Sequence, residues 1–195
     1  MAPSRQARAR GGRPGSPSQP TPGGTADETP DADPESVARS IVLRQLTMAP
    51  RSRQQLADKL AQRGAPDDVA ERVLDRFESV GLVDDAAFAD MLIRSQVASR
   101  GLGRRGLAHE LRRKGVDDET ARAALEQVDD DDEAETARAL VARKVRATRG
   151  LDRDKRMARL AGMLARKGYP SGLTMTVVRE ALDADAAATG HPERD

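Results

Sequence analysis

The chain has 195 residues, 33% of them charged and only 37% apolar, with two Phe, one Tyr and no Trp. A thick central core is excluded by that composition, and thin helical layers buried against their neighbours suit it better. No Cys is present for a disulfide or a thiolate metal site, no apolar run approaches the roughly 18–20 residues of a membrane span, and the start lacks the apolar stretch of a secretory signal. These features fit a reducing cytoplasm. The net charge of +1 conceals strong local segregation of acid and base. Arg greatly outnumbers Lys, as a GC-rich genome also produces, so no single Arg is evidence by itself.

Residues 1–35 hold seven of the eleven prolines and almost no large apolar side chain, basic at first (Arg5, Arg8, Arg10, Arg13) and acidic at the end. Such a segment cannot bury enough apolar area to offset ordering entropy and reads as a disordered tail. In the next stretch Val37, Ala38, Ile41 and Val42 stripe one helical face. Pro50 breaks the chain, Ser52 is placed to cap a helix running to Arg63, and Gly64 sits where a left-handed C-terminal residue belongs. Pro66 opens a third helix striped by Val69, Ala70, Val73, Leu74 and Phe77, which Gly81 closes.

The plan then repeats. Asp84 or Asp85 caps a helix with Phe88, Met91, Leu92 and Val97; Leu107 and Leu111 mark the second helix, ended by Gly115; Asp117 begins a third, with Ala121, Ala124, Leu125 and Val128. A further round has Ala137, Leu140, Val141 and Val145, then Leu160, Met163 and Leu164, then Val177, Val178, Ala181 and Leu182. No segment alternates with period two, so the expectation is all-α.

The phrase Leu56-Ala57-Asp58-Lys59-Leu60 through Gly64 returns as Leu107-Ala108-His109-Glu110-Leu111 through Gly115, and again as Leu160-Ala161-Gly162-Met163-Leu164 through Gly168, at offsets of 51 and 53 residues. The same offsets carry Val37-Ala38 and Ile41 onto Phe88-Ala89 and Leu92, then onto Val141-Ala142 and Val145. One supersecondary unit has been copied three times. The expected layout is a tail over 1–35, three helix-turn-helix-like three-helix repeats over 36–82, 83–129 and 130–184 in an elongated curved array, and a short tail over 185–195. Arrays of this kind grip extended partners more often than they enclose a reaction.

Gly101-Leu102-Gly103-Arg104-Arg105-Gly106 satisfies the letter of the dinucleotide fingerprint, but a helix precedes it and the required strand is missing. The loop still opens a helix, so free N–H groups and two guanidinium groups there suit either a phosphate or a plain solvated turn. Asp129 through Glu133 lack the glycine and spacing of a calcium loop and read as an acidic linker that favours the next helix start. His109 and His191 stand apart without zinc-site context, and no phosphate-binding loop of an ATPase is present. No catalytic, cofactor or metal constellation emerges, so the chain is not expected to be an enzyme.

Ser52-Arg53 before Leu56-Ala57-Asp58-Lys59-Leu60, and above all Gly81-Leu82-Val83-Asp84-Asp85-Ala86-Ala87-Phe88-Ala89 followed by an Arg-rich turn and Lys114-Gly115-Val116-Asp117, resemble the RecX family, regulatory partners of the RecA recombinase. The resemblance covers about residues 36–184. The turn at Met48-Ala49-Pro50-Arg51 lacks an acidic residue expected before Ser52. The resemblance implies an elongated, curved stack of three-helix units that binds the RecA filament on single-stranded DNA along its helical groove, inhibits ATP hydrolysis, strand exchange and repressor cleavage, and so damps the SOS response; weak direct DNA binding is compatible with it, and a monomer is expected.

Dense cations suggest where such a partner would lie. Arg100, Arg104, Arg105, Arg112, Arg113 and Lys114 form the expected filament- or DNA-facing patch, and Lys144, Arg156, Arg166 and Lys167 extend it along the third repeat. Aromatic residues for stacking bases are nearly missing, which favours backbone or protein contacts. Two other classes fit the same pattern: a helix-turn-helix DNA-binding regulator and a helical adaptor indifferent to DNA.

Overall fold

The computed structural model describes residues 33–190; the expected tail over 1–35 lies outside them up to residue 32, as do residues 191–195 with His191. Among the described residues there are nine α-helices, one 3-10 turn and no strand. Repeat one comprises α1 (Pro34–Met48), α2 (Arg53–Ala61) and α3 (Asp67–Ser79); repeat two α4 (Asp85–Arg100), α5 (Arg104–Arg113) and α6 (Asp118–Glu126); repeat three α7 (Asp130–Val145), α8 (Arg153–Lys167) and α9 (Ser171–Thr189). None of these helices is long and apolar enough to cross a membrane.

Each repeat starts the same way because the same chemistry stops the chain from starting elsewhere. Asp33, Asp84 and Asp129 precede the first helices, and each carboxylate accepts from an N–H of the first turn, at 3.2 Å from Ser36, 2.9 Å from Ala87 and 2.7 Å from Asp131. Ser52 and Gln55 form a reciprocal capping box at α2. Three separate cores result, one per repeat, with Leu56 and Leu60, Leu107 and Leu111, and Leu160 and Leu164 almost fully enclosed in their respective bundles.

The first helix of repeat three keeps a different register from the one expected. Ala38 and Val42 are the enclosed pair in α1, whereas Val37 is 43% exposed. Their counterparts by burial are Ala89 and Ile93 in α4 and Ala137 and Val141 in α7, while Ala142 is exposed. The third repeat is therefore related by 48 residues along its first helix and by 53 along its second. The extra residues fall just before Leu160: α8 is capped eight positions ahead of that leucine, whereas α2 and α5 are capped four ahead of Leu56 and Leu107. At the other end, α9 continues past residue 184 to Thr189 and buries Asp185, so residues 185–189 are helix, not tail.

The repeats meet through their second helices, end against end. The C-terminus of α8 lies against the N-terminus of α5: the Gly103 N–H donates to the Lys167 carbonyl (2.9 Å) and the Arg105 N–H to the Gly168 carbonyl (3.2 Å). At the other joint the Ser52 hydroxyl, capping α2, donates to the carbonyl of Lys114 at the end of α5. Orphan carbonyls of one helix thus answer the donor-rich end of the next, in the attractive sense of the helix dipoles.

Gly64 and Gly168 end equivalent helices with φ near +76° and +89°, and the residue after each donates its N–H to the leucine carbonyl five positions back. Only their surroundings differ. A Cβ on Gly64 meets nothing within 4 Å, whereas one on Gly168 collides with the Gly106 backbone of the neighbouring repeat. Gly64→Ala should cost about 1–2 kcal/mol from backbone strain alone, and Gly168→Ala about 1–3 kcal/mol more from overpacking. Urea denaturation of the two variants checks this; equal losses would mean that the joint does not contribute to stability.

Candidate functional site

The Arg-rich loop singled out in the sequence lies inside the joint between repeats two and three. Its N–H groups are already engaged: besides the two bonds to Lys167 and Gly168, the Arg104 N–H donates to Glu133 Oε1 at 2.7 Å. Glu133 is buried, and so the expected anion is a carboxylate of the same chain. A phosphate has no claim on these three donors. The acidic run does open α7, with Asp129 as its cap and Asp130 to Glu133 in its first turn, and its last member also caps α5 of the previous repeat.

Tyr169 completes the joint. It occupies the position of Ala65 and Val116 in the other repeats, is buried, and donates its hydroxyl to the Gly101 carbonyl at 3.1 Å. Burial, with the Glu133 charge nearby, pushes its phenol up to about 12. A Cβ on Gly103 would sit 2.9 Å from both the Tyr169 ring and Glu133, so glycine there admits the ring and the carboxylate together.

The ten cations expected to form one patch separate into distinct roles. Arg104 turns inward to the Val128 carbonyl (2.5 Å) and Asp130 (2.7 Å). Arg100 and Arg113 share the buried Glu110, at 2.8 and 2.5 Å, and the hydrogen bond from Arg113 leads in holding that carboxyl below its ordinary range. Lys167 donates to the Arg100 carbonyl, and Lys114 is half-buried at the other joint. Arg112 makes one long, exposed pair with Asp118 (3.4 Å). Arg105, Lys144 and Arg166 are exposed and form no ion pair with any described residue; Lys144 sits on the last turn of α7.

What the structure does gather is a groove of about 630 Å³ between α5 and the α8–α9 corner, with Arg100, Arg105 and Arg166 at its rim and Leu102, Ala165 and Tyr169 among its lining. A second hollow on the far side of Arg105, about 470 Å³, adds Arg112 and Arg122, offset by Asp118 and Glu126. His109, Gly162 and Thr174 also line the groove, and sequence reasoning passed over all three as site residues.

Arg156 is not part of any surface. It is 7% exposed and bonded through Nη2 to Asp185 (2.6 Å) and through Nε to the Thr148 hydroxyl (3.1 Å), while Arg149 grips the same carboxylate from outside. Its register explains this, because residue 156 repeats the positions of Ser52 and Gly103, both of which are buried.

Among the described residues, no group of three or more His, Cys, Asp or Glu is placed to hold a metal ion. Three three-helix bundles coupled end to end, with open grooves at their joints, define an all-α tandem-repeat protein. Family models described as the first, second and third three-helix domains of RecX match residues 38–77, 84–125 and 130–178. Regulatory protein RecX of Streptomyces lividans is 56% identical over 162 residues, covering 83% of this chain and 86% of that one. That of Thermobifida fusca is 51% identical over 171 residues, covering 88% and 91%. The crystal structure of RecX from Lactobacillus salivarius shares the fold, with a TM-score of 0.73 at 22% identity over 78% of this chain and 99% of that one. The chain belongs to the RecX family of regulatory proteins.

The buried triad of the third repeat has a measurable signature. Hydrogen bonds from Arg149 and then Arg156 hold the Asp185 carboxyl down at about 2. Because the folded value lies below the ordinary one near 4, its contribution is complete above that range and disappears as pH falls towards 2. Asp185→Asn should cost about 3 kcal/mol at neutral pH by stranding Arg156. The gap from the parent protein should narrow between pH 4 and 2. Denaturation midpoints across that range test it, and a gap independent of pH would contradict the assignment.

Proposed function

We propose that this chain binds RecA and the filament RecA forms on single-stranded DNA, and that it inhibits ATP hydrolysis, strand exchange and co-protease activity there. On this reading it acts in the cytoplasm as a monomer and damps recombination and the SOS response. The observation that carries the proposal is the match to all three RecX domains in order, across most of the chain. Physical features support it. Repeats coupled at two joints present several sites along one axis, so that weak contacts to successive protomers add up. Exposed cations near one joint suit acidic protein surface or phosphates and would make association salt-dependent.

Reading a protein partner over bare DNA is favoured by two details. The N–H groups best suited to phosphate are consumed by Glu133, Lys167 and Gly168, and the ring of Tyr169 is buried and so not open for a base to stack on. Of the ten cations, Arg105, Arg112, Lys144 and Arg166 then have charge to offer a partner; Arg104 and Arg156 are committed to the fold.

The test is ATP turnover by RecA on single-stranded DNA with this protein titrated in, beside its binding to bare DNA at the same salt. Inhibition well below one molecule per RecA, with weak bare-DNA binding, is expected. Inhibition only once DNA is saturated would mean competition for the lattice, and none would return the DNA-binding regulator and adaptor readings. Arg105→Glu with Arg166→Glu should raise the half-inhibiting concentration about tenfold, a 1.4 kcal/mol effect, and flatten its salt dependence. Arg104→Glu is unsuitable, since it breaks the pair with Asp130.

A further inference from the structure

We infer that the groove between repeats two and three is a receptor for a protein segment bearing one apolar side chain flanked by carboxylates. The inference rests on the function proposed above insofar as that segment would belong to the RecA filament. Its starting point is Gly162. This glycine lies in the middle of α8, where glycine is less favourable than alanine by roughly the largest amount of any residue but proline. The fold does not require it: a Cβ there would meet only the flexible end of Arg166, at 3.4 Å. Repeats one and two carry Asp58 and His109 at the same register. Position 162 lines the groove from α8, as its counterpart His109 does from α5, and the missing side chain leaves space on that wall for something that is not part of the chain.

A second observation concerns α9. Thr174 also lines the groove, is 4% exposed, and its hydroxyl has no hydrogen-bond partner. Buried polar atoms are ordinarily satisfied, so this orphan beside the groove is a group that a small opening of the wall would offer to an external donor or acceptor. The peptide group of a bound segment supplies one.

The chemistry of the occupant follows from floor and rim. Leu102, Ala161, Ala165 and Met175 give an apolar floor suited to an aliphatic side chain. Around it Arg105 and Arg166 are exposed and unpaired, and Arg100 shares Glu110 with Arg113, so two cations face that one carboxylate and the rim is net positive. Carboxylates beside an apolar anchor complement this arrangement. A phosphodiester strand does not, since it has no apolar group for the floor.

The experiment compares the full-length protein with Gly162→Leu, which fills the groove, and Gly162→Ala. Three probes are used: RecA filaments on single-stranded DNA, the same DNA bare, and a synthetic peptide with leucine between pairs of glutamates. Gly162→Ala should melt about 2–4 °C higher than the parent, as replacing a helical glycine predicts; a lower melting temperature would show that the fold needs glycine there and would overturn the argument. Gly162→Leu should weaken filament binding about tenfold or more, as occluding a central anchor pocket does, and leave bare-DNA binding unchanged. Filament binding equal to the parent's would reject the groove and leave the proposed function standing. Parallel loss of bare-DNA binding would assign the groove to nucleic acid and reject the peptide. If the parent itself ignores filaments, the proposed function falls, and the peptide then decides: shifts in the amide signals of Gly106, Gly162 and Thr174 that Gly162→Leu abolishes retain the receptor, and their absence removes it.

Discussion

The arrangement of repeats depends on one elementary debt: a helix leaves about four carbonyls at its end and four N–H groups at its start without partners. Isolated bundles meet that debt with solvent and caps. Here the ends of consecutive second helices are brought face to face, so that carbonyls at the close of α8 accept from N–H groups at the start of α5, and the close of α5 accepts from the cap of α2. Each net bond is worth only about 1 kcal/mol, but burying such groups unpaired costs more, so the joint has few acceptable geometries. The glycines at 115 and 168 follow from this. Gly64, at the end that meets no further repeat, shares their turn but has no neighbour for a Cβ to strike.

Because the joint consumes its own anion-binding groups, charge on this protein is less available than its arginine content suggests. Glu133 takes the place a phosphate would occupy, Glu110 absorbs Arg100 and Arg113, and Asp185 absorbs Arg149 and Arg156. Exposed cations with no ion pair to a described residue remain on every repeat, among them Arg44 and Arg76 in the first, Arg94, Arg105 and Arg122 in the second, and Arg143, Arg159, Arg166 and Arg179 in the third. Unpaired charge steers association at any polyanion, while a shaped groove discriminates.

Second helices are legible in the sequence because their leucines and terminal glycine answer to the same local geometry in all three copies. First helices are less so. α7 carries alanine and valine at positions where several shifts bury an apolar face equally well, and only the added turn ahead of Leu160 shows which one holds. Arg156 illustrates a recoverable failure. Its composition says surface, but its repeat register, shared with Ser52 and Gly103, says interior, and register is the stronger physical constraint since it states where the backbone lies. Glu133 and Thr174 are different. Their roles depend on which ends of two repeats meet, a non-local fact that no periodicity within a helix encodes.

The two joints are not equally built, and the difference bears on how well a groove between repeats keeps its shape. Between repeats one and two the direct bonds are the Ser52 hydroxyl to Lys114 and the Arg53 N–H to Asp85 (2.8 Å), and burial pushes the Asp85 carboxyl up, so part of that bond's value is spent on desolvation. Between repeats two and three there are two backbone bonds, a buried carboxylate cap, the Tyr169 hydroxyl and Lys167, together with the Tyr169 ring against Gly103 and Leu140 against Gly101. Apolar packing at that joint adds dispersion and resists shear in a way that two polar bonds do not. A groove formed between two bodies keeps its shape only if the bodies do not move against each other, and a preorganised site loses less entropy on binding. The groove carrying Gly162 and Thr174 lies at the stiffer joint, while repeat one is attached by the more yielding one.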